Sequence, residues 1–233
     1  MSQPNVIVIT IDGPSGSGKG TISQLLAAKL GFHYLDSGAL YRLLALAARR
    51  HQVTFDNTDG LAVLAAHMDI TFEMNSVGGQ PRVILEGEDV SHLIRGETMG
   101  TEASKVAAVP EVRAALLQRQ RAFAREPGLV ADGRDMGTVV FPHAEAKIFL
   151  TASPRVRAER RYNQLISKGE TVILDDLVDK VAARDDQDRN RPISPLLPAI
   201  DAEIVDSSSM TISQVLDVVA TIVRKQLERY SNT

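Results

Sequence analysis

The sequence predicts an α/β fold: a five-stranded parallel sheet flanked by helices, carrying a small antiparallel β insertion. Three observations predict it. Continuous apolar runs, several of them rich in β-branched residues, recur at residues 6–11 (VIVITI), 32–36, 129–132 (LVAD), 147–151 (KIFLT) and 202–205. Such runs fit strands covered on both faces, as in a parallel sheet. Segments with helical apolar spacing separate them, and strands alternating with helices wind into parallel sheets. One stretch, residues 69–93, breaks the rhythm with alternating apolar and polar positions, the mark of a hairpin with one wet face.

Taken in order, the first run ends in Asp12-Gly13-Pro14-Ser15-Gly16, which is loop chemistry. Ile22, Leu25, Leu26 and Leu30 then keep helical spacing, and Gly31 stands where a C-terminal cap belongs. After the second strand, Ser37 is positioned to cap a helix rich in Ala and Leu that runs to Arg50. Its Leu/Ala stretch reads as core. In the insertion, residues 69–74 (DITFEM) and 82–85 (RVIL) alternate, with Gly78-Gly79 as the turn between them. A long helix is expected over residues 111–125, with Pro110 tolerated in its first turn. The chain closes on an amphipathic helix with Ile212, Val215, Leu216, Val219, Ile222, Val223 and Leu227 on one face; Thr211 and Gln214 match a capping box.

The 233 residues are 44% hydrophobic, enough for a sizeable core, and carry a formal net charge of −3. That balance argues against duplex binding, which needs a clustered basic surface. Only 4% of residues are aromatic, which disfavours a base-stacking platform for single strands. The absence of Cys removes disulfides, thiol nucleophiles and thiolate metal sites. No apolar run approaches the roughly 18 residues of a membrane span, and the start, MSQPN, lacks the pattern of a secretory signal. A cytoplasmic protein, monomeric, with no membrane or nucleic-acid partner, is expected. The five His residues show no metal-ligand spacing.

The first chemical motif is Gly13-Pro14-Ser15-Gly16-Ser17-Gly18-Lys19, set between a strand and a helix. Glycines let successive amide N–H groups turn inward around a phosphate, and the helix N-terminus adds partial positive charge there. Lys19 supplies a mobile full charge for the outer phosphates. The general pattern places Ser or Thr directly after the Lys to ligate Mg²⁺; here Gly20 stands there and Thr21 comes next. Thr21 is therefore assigned to phosphate contact. Mg²⁺ is expected to be held by nucleotide phosphates and waters.

A phosphoryl acceptor must be held in line while its charge is neutralised. Asp36-Ser37-Gly38 ends the second strand, with Arg42 one turn into the next helix, and Asp132-Gly133-Arg134-Asp135 ends another. Strand ends at the carboxyl edge of an open α/β sheet are site positions. Arg184, Asp188 and Arg191 lie at i, i+4 and i+7, one face of a helix. Arg184 with Asp188 could equally be a helix brace, Asp132 could cap a turn, and Arg113 on its helix could be a solvated side chain.

Together GPSGSGKGT, LDSGALYR, ILEGEDVS, ADGRDMGTVVFP and RDDQDRNRP resemble the bacterial cytidylate kinase family, one of the P-loop nucleoside monophosphate kinases. The similarity runs from about Val6 to the final helix, and the last two segments are the most specific. It implies a single kinase domain over residues 1–233, a nucleotide-binding insertion at about 66–103 and a mobile lid at about 155–191. It implies ATP with Mg²⁺ as phosphoryl donor and CMP or dCMP as acceptor. Ser104, Arg113 and Asp135 would read the cytosine edge; Arg184 and Asp188 would hold the sugar. Arg42, Arg134 and Arg191 would clamp the acceptor phosphate, with Asp36 and Ser37 lining that pocket. Arg157, Arg160 and Arg161 fall where the family has its lid over ATP. At the end of a buried strand, Asp132 suits an outer-shell partner of Mg²⁺. Catalysis would rest on Lys19, Arg134, Asp132 and Arg160. A kinase for AMP, UMP or a sugar acid, or a nucleotide-gated switch, are the rival readings.

Overall fold

A computed structural model describes residues 6–73, 82–167 and 169–231. Along the chain it forms β1 (Val8–Asp12), α1 (Lys19–Leu30), β2 (His33–Asp36), α2 (Ser37–Arg50) and α3 (Thr58–His67). Then come β3 (Ile70–Glu73), β4 (Arg82–Leu85), β5 (Glu88–Asp89), α4 (Glu97–Val106) and α5 (Pro110–Arg121). β6 (Leu129–Gly133), a π-helical turn (Met136–Val140), β7 (Ala146–Thr151), α6 (Pro154–Ile166), α7 (Leu174–Arg189), β8 (Glu203–Asp206) and α8 (Ile212–Ser231) complete it. These elements form two compact units: residues up to Asp36 together with those from Phe123 on, and Ser37–Ala122.

The first unit is built on the expected parallel sheet, in the order β2-β6-β1-β7-β8. Ile9, Ile11, Val130, Ile148 and Leu150 are buried in it, packed with Leu26 of α1 and Val215, Val219 and Val223 of α8. Each such side chain contributes roughly 1.5–3 kcal/mol on burial. Register aligns Asp36 with Asp132 and Asp12 with Gly133, so three strands deliver acidic residues to one edge. Gly31 closes α1 in the left-handed region, its N–H reaching Ala27 and Ala28 carbonyls. The capping box forms: Gln214 N donates to Thr211 Oγ1 at 3.3 Å, and Thr211 N to Gln214 Oε1 at 2.9 Å. Ile212, expected on the buried face of α8, is 59% exposed; it is the first residue after the cap and precedes the packed stripe. Helices α6 and α7 pack through Ala158, Leu165 and Leu177.

In the second unit α2 is buried almost all round, so its Leu/Ala stretch is core. It begins at Ser37 itself rather than after it. Strands β3, β4 and β5 form the antiparallel sheet, with Ile70 opposite Leu85 and Phe72 opposite Val83. The Gly78-Gly79 turn lies outside the described residues. Helix α5 ends at Arg121, four residues before the expected Arg125; Pro127 downstream disfavours helix in the residue before it. Helices α3 and α4 were not expected. Asn57 caps α3 by accepting from Gly60 N at 2.9 Å, and α4 buries Met99, Ala103 and Val106 at helical spacing.

Candidate functional site

The loop after β1 has positive φ at Gly13, Gly16 and Gly18. Gly13 is obligatory: a Cβ there would sit 2.0 Å from the Leu150 carbonyl oxygen. Gly18 precedes α1 with no side-chain cap. The first-turn N–H groups therefore have no side-chain acceptor at the cap position, and the helix dipole favours an anion there.

Lys19 opens α1 and is buried; its Nζ donates to Pro14 O at 3.2 Å and lies 4.0 Å from Asp132 Oδ1. Burial pulls the Lys19 ammonium below its ordinary range, Arg134 adds to that, and Asp132 opposes it. Burial likewise pushes the Asp132 carboxyl up, and Lys19 opposes that. Tyr34 donates to Asp132 Oδ2 at 3.3 Å, while Oδ1 is buried without a hydrogen-bond partner. A Cβ at residue 20 would stand 3.1 Å from Asp132 Oδ2. A side chain at residue 20 would therefore crowd the Asp132 carboxylate, which would have to give by a few tenths of an ångström. Among the described residues no group of three or more His, Cys, Asp or Glu could hold a metal ion by itself. Asp132 Oδ1, facing Lys19 but accepting no hydrogen bond, fits the accepting role toward waters of a phosphate-bound Mg²⁺.

Asp12, on the neighbouring strand, accepts from Met136 N at 2.9 Å and Gly137 N at 2.8 Å. Burial pushes its carboxyl up to about 7, although both amides oppose the shift. It holds the turn that follows Arg134 and Asp135. Arg134 donates from Nε to Asp188 Oδ2 at 2.9 Å. Burial opposes ionisation of Asp188, but Arg134, then Arg191 and Arg184, outweigh it and hold the carboxyl below its usual range. Asp188 therefore has Arg134, not only an i,i+4 neighbour, as its partner. Arg191 lies past the end of α7, not on the helical face the spacing suggested; it donates to Ser194 O.

Of the three arginines expected in a lid, Arg157 is 1% exposed and bonds Ala152 O, Ser15 O and both oxygens of Asp185. Arg160 donates to Ser17 O at 3.1 Å and to Ser207 O at 2.6 Å, bracing the loop from outside. Arg161 is half-buried, and Thr21 is exposed on α1. Asp135 is buried at the start of the π turn, and Asp36 ends β2.

The remaining expected residues belong to the second unit. Ser37 is buried at the start of α2, and Arg42 donates to Ile94 O at 3.4 Å. Ser104 donates to Gly100 O at 3.1 Å within α4. Arg113 is buried rather than solvated; it donates to Ala107 O and stacks 5.6 Å from the Tyr41 ring centre. Asp12, Tyr34, Asp185 and Ser207 are the supporting residues that sequence reasoning missed. Only Asp12 left a signal, as the acid directly before the loop at a strand's carboxyl end.

No helix of the described residues is long and apolar enough to cross a membrane. A family model described as cytidylate kinase matches residues 9–225. A cytidylate kinase of Shewanella halifaxensis is 56% identical over 95% of this chain and 96% of its own. One of Pseudomonas savastanoi is 61% identical over 90% of this chain and 92% of its own. One of Aeromonas salmonicida is 59% identical over 94% and 95%.

Proposed function

Because the chain belongs to the cytidylate kinase family, we propose that it transfers the γ-phosphoryl group of ATP to CMP and dCMP, giving ADP and the nucleoside diphosphate. The observation that carries this reading is the buried Lys19 at the uncapped start of α1, with Asp132 beside it. The Gly13–Lys19 loop (Gly13, Pro14, Ser15, Gly16, Ser17, Gly18, Lys19), with Gly20 and Thr21, cradles the donor phosphates through backbone N–H groups. Lys19 and Arg134 neutralise charge that grows on the transferred group. Mg²⁺ brought in with the donor would supply further charge neutralisation. Asp132 would accept hydrogen bonds from the waters of that ion. An acceptor phosphate is already a nucleophile, so transfer is direct, without a covalent enzyme intermediate or a general base.

The acceptor roles are those the family resemblance implies, and side-chain chemistry supports several of them. Arg42, Arg134 and Arg191 bind the monophosphate, Arg forks matching phosphate oxygens in pairs. Arg184 and Asp188 hold the sugar, and Ser104, Arg113 and Asp135 supply donors and acceptors to the cytosine edge. Asp36 and Ser37 border the phosphate. Residues 155–191 act as a lid over ATP through Arg160 and Arg161 and keep water from the reaction, while residues 66–103 serve the monophosphate. The same proposal has the enzyme monomeric in the cytoplasm. The deciding experiment measures ADP production from ATP and Mg²⁺ with CMP, dCMP, UMP or AMP as acceptor. Strong CMP and dCMP activity is expected; preference for AMP or UMP, or hydrolysis without an acceptor, would reverse the reading.

A further inference from the structure

Arg157 and Asp185 form a buried ion pair, 1% and 2% exposed. Burying two charges stabilises a fold weakly or not at all against apolar residues of the same volume. What the pair does supply is direction, because the guanidinium fork is planar and its N–H groups are fixed relative to one another. One Arg157 head joins three segments: Nε to Ala152 O at 2.8 Å after β7, one terminal nitrogen to Ser15 O at 3.0 Å in the phosphate loop, and both terminal nitrogens to Asp185 on α7. The loop also rests on α6 itself, since a Cβ at Gly16 would lie 3.1 Å from Arg157 Cβ. Asp185 follows Arg184 directly and precedes Asp188 by one turn of the same helix.

We propose that the Arg157–Asp185 pair is a positioning strut that sets the phosphate loop against helix α7, and so fixes the donor phosphates relative to the helix assigned to the acceptor. The inference rests on the reading above for the acceptor's identity. In it Arg157 acts through Ser15 and Asp185 and does not touch ATP. The strut stands at the base of the α6–α7 pair, near the start of one helix and the end of the other.

The test compares Arg157→Lys, Asp185→Asn and the apolar double variant Arg157→Met/Asp185→Leu with the parent. With ATP and CMP saturating, kcat is expected to fall about tenfold or more in each, as small misplacements of reacting groups do. KM for ATP stays within about threefold. The double variant loses no more than the worse single variant, because the two residues act as one unit. The double variant keeps a cooperative melt, and hydrogen exchange of the residue 15–18 amides in the nucleotide-free protein quickens about tenfold. A folded double variant with parental kcat and exchange would overturn the proposal. So would a rise in KM for ATP in Arg157→Lys with Asp185→Asn silent, which marks a direct nucleotide contact. Should the double variant not fold, kcat and exchange in Asp185→Asn decide in the same way. A parent that ignores CMP refutes the acceptor assignment alone, since the exchange measurement still tests the strut.

Discussion

Replacing Asp12 with Asn turns a buried carboxylate that accepts from Met136 N and Gly137 N into a neutral amide. In the folded chain the Asp12 carboxyl is pushed up to about 7 from 3.8, chiefly by burial. Between these pH values the native state holds a proton that the unfolded chain has lost. Stability from this group is therefore full below about pH 4 and is lost as pH rises through about 7, by roughly 4 kcal/mol in all. Asn has no such dependence. It loses one of two accepting oxygens, which costs about 1–3 kcal/mol at every pH. The variant is thus expected to be less stable than the parent near pH 4.5 and slightly more stable near pH 8. Asp135 and Asp132 also raise the Asp12 carboxyl, so their own titration shifts slightly in the variant and adds a smaller second difference. Urea unfolding followed by circular dichroism from pH 4.5 to 8.5 measures the total difference. Parallel pH profiles for the two proteins would refute the burial argument.

Lys19→Ala is expected to lower turnover by at least about 100-fold while the protein still melts cooperatively; near-normal turnover would contradict the role of the loop. Asp132→Asn should raise the Mg²⁺ concentration needed for half-maximal rate by about tenfold or more. It should also remove the low-pH limb of kcat, which in the parent lies above the ordinary carboxylate range because burial raises the Asp132 carboxyl; activity there falls as pH falls, since the carboxylate is the working form. An unchanged Mg²⁺ titration and pH profile would reject that role. Gly13→Ala places a methyl 2.0 Å from Leu150 O, and should cost about 3 kcal/mol or more in chemical denaturation. Asp135→Ala should raise KM for CMP far more than KM for ATP in steady-state assays, and equal effects would discredit its base-reading role.

The amino-acid sequence alone determined the features that depend on neighbours in the chain. The apolar runs at β1, β6 and β7 announce buried parallel strands, the Gly13–Lys19 pattern announces a phosphate cradle, and the Thr211/Gln214 box announces the start of α8. Each is a local periodicity or a local hydrogen bond, so a short window suffices. Helix α4 escaped because Gly96 offers no side-chain cap and its buried positions are few. Arg191 was misplaced onto α7 because spacing by sevens does not register that the helix stops at Arg189.

The tertiary fold decided which charge meets which. Asp12 reaches amides 124 and 125 residues away, Arg134 takes Asp188 across 54, and Arg157 takes Asp185 across 28. Arg113 reads as a surface cation in a window of its own helix, yet packing buries it beside Tyr41. For Asp12 and Asp188, burial and the choice of partner set the ionisation, and both are properties of the packed chain, created only when distant strands and helices exclude water together.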